Sequence, residues 1–293
     1  MIRSLPMSTP ASLKFLGTGG ARFVVARQLR ASGGTVISAG GVRVVLDPGP
    51  GTLVRCAKSR PAIDVTMLDG VVLTHAHIDH SCDVNVLLDA MTDGGLRHRG
   101  FLFAPKECLE GENAVVLRYL RPFLEEVVTL EPETDYRLGD LEFRTSLPHR
   151  HGVGREVETC GVKFRMGGRT VSFMVDTAWF EGLAAGYADS DVLVMNVVRH
   201  LASSSPGARH LSSVDAERLL AEIRPAQAVL THFGMTMLRA KPWVVAEHMS
   251  ERLGLPVTAA TDGMTMEIGP PGGGKDDGRA GAVRSDPATT GGR

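Results

Sequence analysis

The apolar positions of this chain follow two periods. Runs at 12–16, 34–38, 42–47 and 70–73 are short, rich in Val, Leu, Ile and Phe, and closed by Gly, Pro or a polar residue, which predicts β-strands. Residues 34–38 and 42–47 read as a strand pair joined by Ala39-Gly40-Gly41 and ended by the turn Asp47-Pro48-Gly49-Pro50-Gly51. Residues 83–91 carry Val84, Leu87, Leu88 and Met91 at helical spacing, and 52–58 also read as a helix. The second half repeats the scheme, with strands at 101–103, 141–147, 162–166, 170–175, 192–197 and 228–230 and helices at 214–222 and 243–253. Strand-rich halves with interspersed helices predict an α/β fold in which two packed sheets are flanked by helices.

Both ends break the pattern. Residues 1–12 read as a loose leader; 270–293, rich in Gly, Pro, Asp and Arg, cannot offset their ordering entropy by burial and read as a disordered tail. A single domain over 13–269 remains. With 293 residues, 43% of them hydrophobic, the chain is long enough to bury a full core. A formal net charge of −1 gathers no polyanion, so a small-molecule substrate is expected rather than a strong nucleic-acid surface. Cys56, Cys82, Cys108 and Cys160 are scattered without a C-x-x-C pair or a disulfide framework, which fits a reducing cytoplasm. No apolar run approaches the length of a membrane span, so no membrane association is expected. Homo-oligomerisation stays open, because exposed apolar patches cannot be read from sequence.

Chemistry enters after residue 73. The run Thr74-His75-Ala76-His77-Ile78-Asp79-His80 places three imidazoles and a carboxylate on a loop leaving a strand. Adjacent side chains on an extended segment face opposite ways, so a core cannot absorb them all, whereas a loop can converge them on one or two cations. Neutral imidazole and carboxylate are ligands of zinc and suit iron or manganese. Further apolar strands stop at the same residue types: 141–148 at His149-Arg150-His151, 170–175 at Asp176, and 228–231 at His232. Rigid elements that aim such groups into a cleft build sites.

This constellation resembles the metallo-β-lactamase superfamily over 13–269, with the H-x-H-x-D-H motif standing as His75, His77, Asp79 and His80. The resemblance implies an αββα sandwich of two mixed β-sheets flanked by helices, and two divalent metal ions, zinc foremost with manganese or iron as alternatives. One ion would take His75, His77 and the histidine of the third motif; the other would take Asp79, His80 and His232; Asp176 would bridge both. For the third motif, His149 and His151 share strand parity and are expected to face the same way. His151 is preferred because it lies nearer Gly161-Val162, which stands where relatives have a Gly-aromatic pair; His149 remains the alternative. Asp79 is expected both to ligate and to orient the attacking water. Asp47 is expected either to hold a ligating imidazole in one tautomer or to cap the Pro-Gly-Pro turn.

Two cations close together supply hydroxide near neutral pH and clamp the oxygens of an in-line displacement, so a hydrolase is expected. Phe15-Leu16-Gly17-Thr18-Gly19-Gly20 resembles the opening of the ribonuclease Z and cyclic phosphodiesterase branch, and does not continue as a dinucleotide fingerprint. That branch also has a histidine before the helix leading to the last ligand, here His210 ahead of Ser212 and Ser213. His210 is therefore the candidate general acid, while Ser212 or Ser213 caps the helix. His200, Arg239 and Lys241 read as surface groups. No long insertion rich in Gly, Pro and Lys is present to clasp tRNA. The expectation is a dinuclear phosphodiesterase for a small or cyclic phosphodiester. The alternatives are a carbon-ester, thioester or lactone hydrolase, or a non-catalytic metal-binding module.

Overall fold

A computed structural model describes residues 11–152, 154–202 and 209–270. Strands β1 (Ala11–Phe15), β2 (Thr35–Ala39), β3 (Val42–Leu46), β4 (Gly70–Val72), β5 (Phe101–Pro105) and β6 (Glu126–Leu130) lie side by side in that order in one sheet. Strands β7 (Asp135–Leu138), β8 (Leu141–Pro148), β9 (Cys160–Met166), β10 (Arg169–Met174), β11 (Val192–Asn196), β12 (Gln227–Thr231) and β13 (Val257–Ala259) form the second, also in chain order. The last strand, β14 (Thr265–Ile268), returns to the first sheet and pairs antiparallel with β1. Both sheets are mixed: β1 to β3 and β7 to β10 pair antiparallel, β3 to β6 and β10 to β13 parallel.

The sheets pack face to face. Leu13, Phe15, Ile37, Val44 and Phe103 of the first meet Phe143, Phe164, Phe173, Val194 and Val229 of the second in one buried cluster. Helices cover the outer faces. On the first sheet run α1 (Ala21–Ala26), α2 (Thr52–Lys58), α3 (Ile78–Ser81), α4 (Val84–Met91) and α5 (Lys106–Leu109). On the second run α6 (Ser213–Ile223), α7 (Met235–Arg239) and α8 (Pro242–Leu253). The apolar stripe of α4, Val84, Leu87, Leu88 and Met91, is fully buried, as its spacing predicts, and each such side chain contributes about 1.5–3 kcal/mol. The four layers are the αββα sandwich.

Ala11 and Ser12, assigned to the leader from sequence, belong to β1 and pair with Ile268 and Glu267. The rest of the expected leader, and residues 271–293 of the expected tail, lie outside the described residues. Among the described residues no helix is long and apolar enough to cross a membrane. All four cysteines are free, and Cys82 alone of them is exposed.

Parallel pairing decides where the site lies. β3 and β4 run the same way, as do β10, β11 and β12, so their C-terminal ends share one edge of the sandwich. β8 also points there, being separated from β10 by the antiparallel β9.

Candidate metal centre

Five strand ends deliver the polar groups. Asp47 follows β3, His75 to His80 follow β4, His149 to His151 follow β8, Asp176 follows β10 and His232 follows β12. The donor atoms of His75, His77, His151 and Asp176 lie within 4.8 Å of one another, and so do those of Asp79, His80 and His232. The Asp176 carboxylate stands between the two groups. Its Oδ2 is 3.5 Å from Nε2 of both His80 and His151, and its Oδ1 is 3.4 Å from Nε2 of His232. His232 Nε2 is 3.6 Å from Asp79 Oδ2. Two donors on one tetrahedral cation, each at 2.0–2.1 Å from it, stand roughly 3.4 Å apart.

The unpaired atoms fit the same chemistry. Nε2 of His75, His80 and His232 is buried without a hydrogen-bond partner, a state that costs free energy unless something else fills it. His77 Nδ1 and His151 Nε2 are 2.8 Å apart, too close for two lone pairs unless a proton or a cation lies between. His151 Nδ1 donates to the Arg209 carbonyl at 3.1 Å, which leaves its Nε2 as the inward atom.

Supporting contacts fix the ring tautomers. The Asp47 carboxylate can only accept, so the Thr74 hydroxyl donates to it at 2.7 Å and must itself accept from His75 Nδ1 at 3.0 Å. The Thr74 amide also donates to Asp47, at 2.8 Å, and His80 Nδ1 donates to it at 3.0 Å. Asp47, His75 and His80 are close enough to form a third donor group, but the Asp47 carboxylate is already engaged by these three donors. It orients imidazoles, and only its backbone carbonyl closes the turn, accepting from Gly49. At the other carboxylate, Asn196 donates to Asp176 Oδ1 at 2.9 Å.

Electrostatics separate the histidines. Burial, aided by neighbouring imidazoles, holds His75 well below its ordinary pKa, and burial lowers His77 and brings His151 to about 4. Neutral rings are what cation binding requires. Burial opposes charge on His80 too, but Asp176 and Asp47 overcome it and hold that ring well above its ordinary value. Burial disfavours the Asp176 anion, yet His232, His210 and His80 keep its carboxyl well below the usual range.

The backbone is also shaped for the task. Asp47 and His232 adopt left-handed conformations, with φ of 51° and 58°. Gly20 lies against the His232 ring so closely that a Cβ there would stand 2.3 Å from Cδ2.

All the predicted ligand residues converge. His210 joins them, with Nδ1 3.5 Å from Asp176 Oδ2 and no hydrogen-bond partner. Its carbonyl accepts from the Arg199 guanidinium, and the Ser212 capping box starts α6 two residues later. His149 does not face the same way as His151. β8 ends at Pro148, so strand parity no longer applies, and His149 turns to Tyr187 while His151 turns to His77. His200, Arg239 and Lys241 stay outside the cluster; His200 Nδ1 lies 3.3 Å from Ser213 Oγ.

The sequence reading missed Thr74, Asn196 and Asp262. Asn196 ends β11 and fits the rule of the other strand ends, but apolar Val197 and Val198 follow it and carry the apparent strand past it. Asp262 accepts from the Thr18 amide, the Thr18 hydroxyl and the Ala31 amide at 2.9, 2.7 and 2.8 Å, bracing the glycine turn that leads to Gly20; nothing local announces it.

Residues 42–233 match the family described as the Beta-lactamase superfamily domain. The chain belongs to the β-lactamase superfamily. Its described architecture is the metallo-β-lactamase fold. A relative, the uncharacterised protein MJ1374 of Methanocaldococcus jannaschii, is 29% identical over 261 residues, covering 87% of this chain and 94% of that one. The metallo-β-lactamase fold protein YhfI of Bacillus subtilis superposes with a TM-score of 0.72 at 18% identity, over 88% of this chain and all of that one. A diphosphatase of the PhnP family superposes with a TM-score of 0.62 at 20% identity, over 88% of this chain and 97% of that one.

Proposed function

We propose that this superfamily hydrolase is a phosphodiesterase that cleaves a small or cyclic phosphodiester at a centre of two divalent cations. The observation that carries the reading is His210: a histidine outside both donor groups, 28% exposed, with Nδ1 unpartnered beside Asp176. A group in that place has a use in protonating a poor leaving oxygen. The likeness to a PhnP-family diphosphatase supports phosphorus chemistry.

In this reading His75, His77, His151 and Asp176 would hold one cation, and Asp79, His80, His232 and Asp176 the other. Nitrogen and oxygen donors at tetrahedral spacing favour zinc, with manganese or iron as alternatives. When bound, such a pair acts as a Lewis acid on phosphoryl oxygens and acidifies a shared water. Asp79, whose Oδ2 is 3.6 Å from His232 Nε2, would orient the attacking water. Asp47 and Thr74 hold the rings of His80 and His75 with their protons outward. His210 delivers its proton to the departing oxygen, and the Arg199 contact to its carbonyl holds the backbone at residue 210.

Two substrates test this. Metal-loaded protein is expected to release p-nitrophenol from bis(p-nitrophenyl) phosphate and to open a 2′,3′-cyclic nucleotide. His210→Ala should lower kcat on the cyclic nucleotide about 100-fold or more at unchanged metal content, since an alkoxide needs a proton to leave. It should affect the nitrophenyl ester far less, because nitrophenolate departs unprotonated. A fully loaded protein that leaves both intact while cleaving a lactone or thioester would overturn the proposal.

A further inference from the structure

Asp176 is gripped by its backbone as well as its carboxylate. His149 Nδ1 lies 3.2 Å from the Asp176 carbonyl oxygen, and His149 Nε2 lies 2.8 Å from the Tyr187 hydroxyl. A carbonyl only accepts, so Nδ1 carries the ring proton, and Nε2 must then accept the tyrosine's. Both side chains are out of water: Tyr187 is 0% exposed and His149 6%. Ser146 Oγ stands 3.4 Å from Nε2 but spends its proton on the Leu147 carbonyl at 2.7 Å and accepts the Gly161 amide at 2.8 Å, so it does not compete with Tyr187 for the lone pair. The tyrosine has no room to move away. A Cβ at Gly161 would stand 1.9 Å from its hydroxyl oxygen, which is why glycine follows Cys160 in β9.

This buried chain reaches the peptide of a residue that has left β10 and no longer shares its strand bonds. The next residues are tied to the same segment, the Ala178 amide donating to the Arg150 carbonyl at 2.8 Å and the Arg150 amide to Thr177 Oγ1 at 3.3 Å, so the His149 bond is what holds the Asp176 carbonyl itself. Asn196 restrains Oδ1 alone.

We infer that His149 and Tyr187 are positioning residues for the metal centre: the tyrosine hydroxyl locks His149 in its Nδ1–H tautomer, and His149 locks the Asp176 peptide so that one carboxylate serves both cation positions. The inference rests on Asp176 as a shared ligand, and not on the phosphodiester reaction. A phenylalanine in place of Tyr187, or a leucine in place of His149, would pack the core as well but would not set the carboxylate.

The experiment is competition for zinc against a chromogenic chelator, on purified variants shown by circular dichroism to be folded. Tyr187→Phe keeps the ring and removes the hydroxyl; His149→Leu removes both nitrogens; His149→Asn keeps an amide N–H able to reach the Asp176 carbonyl. Tyr187→Phe and His149→Leu are expected to weaken zinc binding about ten-fold, the range seen when partners behind a metal ligand are lost. His149→Asn is expected to recover most of the difference from His149→Leu. Should His149→Leu fail to fold, Tyr187→Phe alone carries the test. Wild-type zinc affinity in folded Tyr187→Phe, whatever its melting temperature, overturns the assignment. A wild-type protein that binds zinc yet ignores phosphodiesters refutes the proposed reaction only, whereas one that takes up no zinc refutes both.

Discussion

Asp47 and His232 show what single residues give up at this centre. Each sits in a backbone region that costs a non-glycine residue about 1–3 kcal/mol, and each is the turning point that swings a side chain from a strand end toward its neighbours. His149 is a second such case, because it is a titratable group kept dry. Burial pushes its pKa down to about 4 from an ordinary 6.5. Between those values the unfolded chain binds the proton that the folded chain refuses. The stability at stake is therefore whole above pH 6.5 and is lost as pH falls, amounting to about 3 kcal/mol by pH 4. Urea titrations of metal-free protein at pH 7 and at pH 4 should show the wild type losing more stability than His149→Asn; equal losses would contradict the sign. The candidate donors were legible in sequence because three histidines and an aspartate in one short loop have no packing use. Thr74 and Asn196 were not legible, since a threonine or asparagine acquires its meaning from the carboxylate it meets across the fold.

At the scale of elements, the interior strands announced themselves and the edges did not. β6, β7, β13 and β14 went unrecognised, and they are the four edge strands of the two sheets. They are short, three to five residues each, and residues such as Glu126, Thr129, Asp135 and Arg137 stand in water, so none offers the longer apolar run by which the interior strands were recognised. α6 was legible at both ends, and its start matters most. Ser212 Oγ accepts from the Asp215 amide while the Asp215 carboxylate accepts from the Ser212 amide. Ser212→Ala should cost about 1 kcal/mol in a denaturant melt. Since His210 lies two residues ahead of that cap, turnover of a cyclic nucleotide should fall as well, at unchanged zinc content; full activity would show that His210 is held by Arg199 alone.

The whole molecule is built as two sheets laid down one after the other, except that β14 crosses back to the sheet the chain began with. Alongside that strand, Asp262 reaches Thr18 and Ala31, residues far off in sequence, and so steadies the turn whose Gly20 roofs His232. Asp262→Ala leaves two amides and a hydroxyl without their acceptor and should cost about 3 kcal/mol. In the proposed two-cation centre it should also loosen the ion on the Asp79, His80 and His232 side, read as zinc bound per chain after dialysis; two ions retained per chain would show that the turn holds itself. The order in which the parts are made then acquires a meaning for biosynthesis. His75, His77 and His80 leave the ribosome long before Asp176, His232 and Asp262, so a growing polypeptide exposes half of the candidate donor set before the other half has been made.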